Sequence, residues 1–164
     1  MNSNIPFVRQ VAWISLLPQL VLGGIFIVLW NILDAEMPII NGSLTYLVLS
    51  FGLRMLIPHS HKHGIILLKQ EKYLDAIVHF EKSYNFFTRN NWIDKYRYLT
   101  LLSSSKISYK EMALINIAFC YGQSGNGIKS KEYYERTLKE FPTSTLAKTA
   151  IKLINAIDHS PIKK

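Results

Sequence analysis

With 164 residues and one cysteine, Cys120, the chain has neither a disulfide framework nor a thiolate metal cluster. Its formal net charge of +8 arises entirely after Pro58, where 17 of the 19 Lys and Arg stand against nine of the 11 Asp and Glu. A mean hydropathy of +0.11 averages a very apolar first third with a polar remainder, which is long enough for one small domain.

Val11 to Leu33 contains no charged residue, and Ile39 to Ile57 contains only Arg54. Spans over about 11–33 and 39–57 would each cross a hydrocarbon core of roughly 30 Å at about 1.5 Å per helical residue. The connection, Asp34 to Pro38, is too short to hold a domain, so residues 1–57 are predicted to form a transmembrane hairpin with both ends on one face. Arg9, Arg54 and Lys62 flank that face and the turn carries only acidic charge, which predicts cytoplasmic termini. A cleaved signal peptide would have a shorter apolar region, and two buried helices of a soluble protein would not concentrate the hydropathy at one end. Pro18, Gly23, Gly24 and Gly52 could allow close helix approach but read as ordinary membrane-helix composition. Arg54, about one turn from the span's end, is expected to carry its guanidinium out to the headgroups.

The cluster His59-Ser60-His61-Lys62-His63 follows, with His59 and His63 on one helical face. No carboxylate or cysteine completes a metal shell and Lys62 would repel the cation, so the cluster reads as a polar joint at a Pro58 break, with a histidine pH sensor as the weaker reading. A helical domain is expected over 58–158 and a flexible tail over 159–164. Gly64 to Gln70 and Lys72 to Tyr84 make one helix pair, the second helix with apolar residues at helical spacing. Asn91 to Leu99 reads as an inserted helix, about 92–101, with an Asn cap and Trp92, Tyr96 and Leu99 on one face. The Ser103-Ser104-Ser105 run breaks it, and Ser108-x-x-Glu111 has capping-box spacing, which predicts a new helix near Tyr109. Leu114, Ile117, Ala118 and Tyr121 then keep a helical stripe, Gly122 to Gly127 interrupt it, and Lys131 to Pro142 form the partner helix. A capping helix over about 145–157 carries Leu146, Ala150, Leu153 and Ile157 on its apolar side.

Two helix pairs of like spacing suggest a solenoid. On Gly64, Tyr73, Ala76, Phe80 and Ser83, and again on Leu114, Ile117, Ala118, Tyr121, Gly125, Ser130, Tyr134, Thr137 and Pro142, the chain resembles the tetratricopeptide repeat (TPR) family, with copies over about 57–90 and 111–144. Thr88 replaces the closing proline of the first copy, Gly127 the opening aromatic of the second, and roughly twenty residues separate the copies. The expected fold class is therefore all-α: a two-helix transmembrane hairpin, a short TPR-like α-solenoid and a C-terminal capping helix. Hairpin plus repeats is similar to small membrane-anchored bacterial repeat proteins, which implies a bacterial cytoplasmic membrane.

No glycine-rich phosphate loop, nucleophile elbow or paired carboxylates are visible, so no catalytic, cofactor or metal residues are assigned and an enzyme is not expected. The scattered lysines suit anionic headgroups better than nucleic acid. The resemblance implies a partner groove lined by the first helices of the copies: Lys62, Ile65, Leu68 and Lys69, then Ile115, Asn116, Phe119 and Gln123. Lys62, Lys69 and Asn116 imitate only part of a carboxylate clamp, whereas Ile65, Leu68 and Phe119 suit an amphipathic helix. The inserted helix could fill that groove itself. The expected function is a membrane-anchored adaptor or scaffold holding a protein partner at the cytoplasmic face. The alternative is a structural subunit or assembly factor that contacts a larger membrane complex through its hairpin.

Overall fold

The computed structural model describes residues 12–158, and its regular elements are all helical, with no strand among the described residues. Two compact units share the chain: one holds the N-terminal apolar helices together with Trp92–Ser108, the other holds Pro58–Asn91 and everything from Tyr109 onward. The inserted segment thus groups with the apolar helices rather than with the paired ones.

In the first unit a 3-10 turn, Trp13–Ser15, leads into α1 (Leu16–Ile32), and α2 (Pro38–Leu56) runs back beside it. The expected first span, 11–33, is therefore shortened. Ser15 donates its hydroxyl to the Ala12 carbonyl at 2.6 Å and holds the tighter turn, so the α-helix begins only at Leu16; Val11 lies outside the described residues. Pro18 sits in the first turn of α1, where its missing N–H costs nothing. By length and composition, α2 is long and apolar enough to cross a membrane, while α1 with its 17 residues is a shorter apolar helix.

The close approach of the pair occurs at Gly42. A Cβ there would lie 2.6 Å from the backbone nitrogen of Ile27, whereas Gly23, Gly24 and Gly52 meet nothing within 4 Å. Trp30 Nε1 donates to Thr45 Oγ1 at 3.0 Å near the turn, which Asp34 closes with a left-handed φ of 51°.

The inserted segment is not one helix over 92–101. It forms α5 (Asn91–Lys95) and α6 (Arg97–Thr100), broken at Tyr96, whose ψ of 27° leaves the α region. Trp92, Tyr96 and Leu99 remain 61%, 52% and 57% exposed, so the predicted apolar face is not buried. Arg97 ties down the following loop, donating through Nε to the Ser105 carbonyl at 3.0 Å and through Nη2 to that of Lys106 at 2.6 Å.

In the second unit α3 (His59–Lys69) packs on α4 (Tyr73–Arg89), α4 on α7 (Tyr109–Gln123), α7 on α8 (Gly127–Glu140), and α8 on α9 (Thr145–Asp158). Helix α7 begins at Tyr109, as the Ser108-x-x-Glu111 spacing predicts. The α3–α4 and α7–α8 turns share one hydrogen-bond pattern. Glu71 N–H donates to the Leu68 carbonyl and Lys72 N–H to that of Leu67; 54 positions later Gly125 N–H donates to Gly122 and Asn126 N–H to Tyr121. The middle residue is left-handed in both, Glu71 at φ 60° and Gly125 at φ 82°. The same offset pairs buried Ala76 with Ser130, Phe80 with Tyr134, and Ser83 with Thr137.

One apolar cluster joins Leu68, Ala76, Ile77 and Phe80 to Ile117 and Cys120. A second joins Ala118, Tyr134 and Ala147, with Ala150, Ile151 and Ile154 packed against it. Helix α9 therefore docks through a stripe rotated from the expected one: Ala150 belongs to both, while Ala147, Ile151 and Ile154 face the cluster and Leu153 stands 62% exposed. Nothing is described of the Ile157 side chain or of residues 159–164, where the expected tail falls.

Candidate functional site

The residues expected to line a partner groove lie on α3 and α7, which touch each other. Lys62, Lys69 and Gln123 are exposed, while Ile65, Ile115, Asn116 and Phe119 are half-buried. Leu68 is buried at 7% exposure, so its surface goes to the core. Ile65 and Phe119 pack on the edge of that same cluster and present only part of their area outward. The outward chemistry of this face is thus two ammonium groups and two amides around the rims of three apolar side chains.

A second concavity lies on the opposite side of α7. It is lined by Glu81, Tyr84 and Asn85 from α4, Leu114 and Ile117 from α7, and Tyr133 and Arg136 from α8, around a volume of about 160 Å³. At about 100° per residue, Leu114 and Ile117 face roughly half a turn away from Asn116 and Phe119. Tyr84 and Arg136 in its walls belong to a polar network centred on Glu140. Tyr84 donates its hydroxyl to Glu140 Oε1 at 2.8 Å, Arg136 Nε donates to the same oxygen at 3.2 Å, and Lys110 Nζ reaches Oε2 at 2.9 Å. The Arg136 guanidinium lies over the Tyr84 ring, 4.7 Å from its centroid, and Tyr133 points its hydroxyl at Glu81.

Partial burial pushes the Glu140 carboxyl up, but three donors converging from three helices together outweigh it and hold the group below its ordinary pKa. Burial pushes the Tyr133 hydroxyl up, and the Glu81 carboxylate adds to it. Sequence reasoning missed this network because Glu140 collects partners from α4 and α7, although the Arg136–Glu140 spacing of four was visible.

The histidines divide by environment. His61 is buried between the edges of Phe80 and Tyr109, with Nδ1 3.3 Å from Ser83 Oγ, and burial drives its pKa down to about 4. His59 and His63 share the outer face of α3, ring centroids 6.4 Å apart, and α4 adds His79 at 4.2 Å from His63. Burial, then His63, Lys82 and His59, lower the pKa of His79, while Asp75 opposes them. Among the described residues no group of three His, Cys, Asp or Glu side chains is arranged to hold a metal ion.

In the first unit Arg54, expected to carry its guanidinium out to the headgroups, also has an acceptor within the protein. Its Nε donates to the Leu102 carbonyl at 2.9 Å, its Nη2 donates to the same oxygen, and Gln19 Nε2 adds a third bond at 3.1 Å. Leu102 holds a left-handed φ of 47° to present that carbonyl. A guanidinium at the end of an apolar helix is more stable on a fixed acceptor than unpaired, and the acceptor lies 48 residues away in sequence, beyond the reach of local pattern.

No family model, curated protein or solved structure matches the chain.

Proposed function

We propose that the chain is a membrane-anchored, TPR-like adaptor that holds a protein partner beside the cytoplasmic face of a bilayer. One observation carries the anchoring: the outward faces of α1 and α2 are apolar, with Leu17, Leu20, Val48 and Phe51 between 65% and 75% exposed. Contiguous apolar surface of this extent is rare on monomers in water and suits lipid. The acidic turn at Asp34 and Glu36, against Arg54 and the basic second unit, favours cytoplasmic ends. The repeat reading draws support from the recurring turn and from small-on-aromatic contacts, Gly64 on Phe80 and Ala118 with Tyr134.

The partner would lie across α3 and α7, meeting Lys62, Lys69, Asn116 and Gln123 at the polar rim and Ile65, Ile115 and Phe119 between them. Leu68 supports that face from beneath. Ion pairs at such a rim set association and selectivity more than raw affinity, so the natural partner segment is acidic and amphipathic.

The test is crosslinked recovery of the partner from native membranes by the full-length chain and by a Lys62→Glu/Lys69→Glu variant, with circular dichroism of both. Loss of the partner from a variant that stays helical supports the adaptor. Undiminished recovery moves the contact to α1 and α2, as in a structural subunit of a membrane complex.

A further inference from the structure

We infer that the segment Trp92–Ser108 is a third membrane contact, an interfacial strap that seats Trp92, Tyr96 and Leu99 among phospholipid headgroups. The inference rests on the anchoring proposed above and goes beyond it, because it assigns a lipid-binding surface to residues outside the two apolar helices.

The strap's position is set by three attachments. The Leu102 carbonyl accepts from Gln19, in the first turn of α1, and from Arg54, in the last turn of α2. The Ala12 N–H donates to the Ser104 carbonyl at 2.8 Å, just ahead of the Trp13–Ser15 turn. These anchor points mark the shared end of the two apolar helices, the depth at which hydrocarbon gives way to headgroups. Helix α6 also packs on α1.

At that depth the strap shows the residues an interface selects. Trp92, Tyr96 and Leu99 are each more than half exposed, and Trp13, one residue after the Ala12 attachment, is 77% exposed. Trp and Tyr combine an apolar ring with a polar edge and concentrate at this boundary. Charge agrees. Asp94 is the strap's one carboxylate and is buried, whereas Lys95 and Lys106 are exposed. Lys95 Nζ lies 5.5 Å from the Tyr96 ring centroid, so apolar stem and cation share one face, as in a side chain reaching from an apolar layer to anionic headgroups. Because α6 packs on α1, whose Leu17 and Leu20 are exposed, one lipid layer would cover both.

The test places a nitroxide on the full-length chain, reconstituted into vesicles of phosphatidylcholine and phosphatidylglycerol. Labels go on Leu99→Cys, on Leu47→Cys in the middle of exposed α2, and on Lys139→Cys on the surface of α8. Power saturation then compares access by oxygen, which concentrates in lipid, with access by a water-soluble nickel chelate. Leu47 should admit oxygen and exclude nickel, and Lys139 should admit nickel freely. Leu99 should fall between them, with nickel access reduced several-fold from that at Lys139 and oxygen access raised. Nickel access at Leu99 equal to that at Lys139 places the face in water and overturns the strap. Shielding of Leu99 from both reagents means that protein, a partner or a second copy, covers it, and also overturns the strap. Free nickel access at Leu47 removes the membrane reading itself, and the strap with it; exclusion at Leu47 shows that a failure at Leu99 belongs to the strap alone.

Discussion

Gly64 faces the ring of Phe80 so closely that a Cβ at Gly64 would lie 2.8 Å from ring carbon Cε1. Phe80 is fully buried, with the α3–α4 core around it, so its ring has nowhere to retreat. The absent side chain is what lets α3 and α4 meet at this depth.

Gly64→Ala should therefore destabilise the protein by about 1 to 3 kcal/mol, even though alanine is the better helix former by about 1 kcal/mol. Gly127→Ala is the control: nothing lies within 4 Å of its Cβ position in α8, so that change should be neutral or slightly stabilising. Thermal denaturation of the two variants in parallel checks the sign, and a Gly64→Ala protein as stable as the parent would mean that the helices do not meet there.

The apolar pair should answer to Gly42 in the same way. Gly42→Leu would drive its side chain into the Ile27 backbone and separate α1 from α2, whereas Gly52→Leu meets open space. In detergent micelles the first variant should unfold several degrees below the second. Equal midpoints would show that α1 and α2 do not pack through Gly42.

His61 makes stability depend on pH in a defined direction. Its folded pKa, about 4, lies below the ordinary value of 6.5. Above pH 6.5 the ring is neutral in both states and costs nothing. As pH falls from 6.5 toward 4, the unfolded chain takes up the proton first, and about 1.4 kcal/mol of stability is lost per pH unit, roughly 3 kcal/mol in all. His61→Gln should flatten that part of the profile. Urea unfolding at pH 7 and pH 4.5 checks this, and identical pH slopes for parent and variant would show that His61 is not held neutral by burial.

The proposed orientation, with cytoplasmic ends, predicts an asymmetric labelling pattern. A cysteine at Glu36, exposed in the turn between α1 and α2, should react with an impermeant maleimide on intact cells. One at Lys139, exposed on α8, should react only after lysis. Reaction of both on intact cells would rule out the orientation.

Much of the second unit was legible in the sequence because its helices carry local signals: apolar residues at helical spacing in α4 and α8, the Ser108-x-x-Glu111 start of α7, and the glycines around the α7–α8 turn. What escaped depends on distant partners. The Trp92, Tyr96 and Leu99 pattern announces an apolar face without saying what covers it, and the face proved exposed and the helix broken. The charge on Arg54 was visible, but its acceptor, a leucine carbonyl in left-handed backbone, has no sequence signature. The same holds for the candidate site. The repeat resemblance suggested a shared face for Lys69, Asn116 and Phe119, yet only packing shows that Leu68 turns inward and that Glu140 gathers Tyr84, Lys110 and Arg136.

The matched turns at Glu71 and Gly125 make the chain a template for lengthening. Because one main-chain path serves a glutamate in one copy and a glycine in the other, the path belongs to the repeat and the side chains are exchangeable parts. A designed unit could take the small-on-aromatic seat of the first copy, Gly64 and Phe80, and the strain-free Gly125–Asn126 turn of the second, then be inserted ahead of α9 so that the terminal helix still closes the array. A modular array extended in this way would lengthen the helical stack one pair at a time while leaving α1 and α2 untouched.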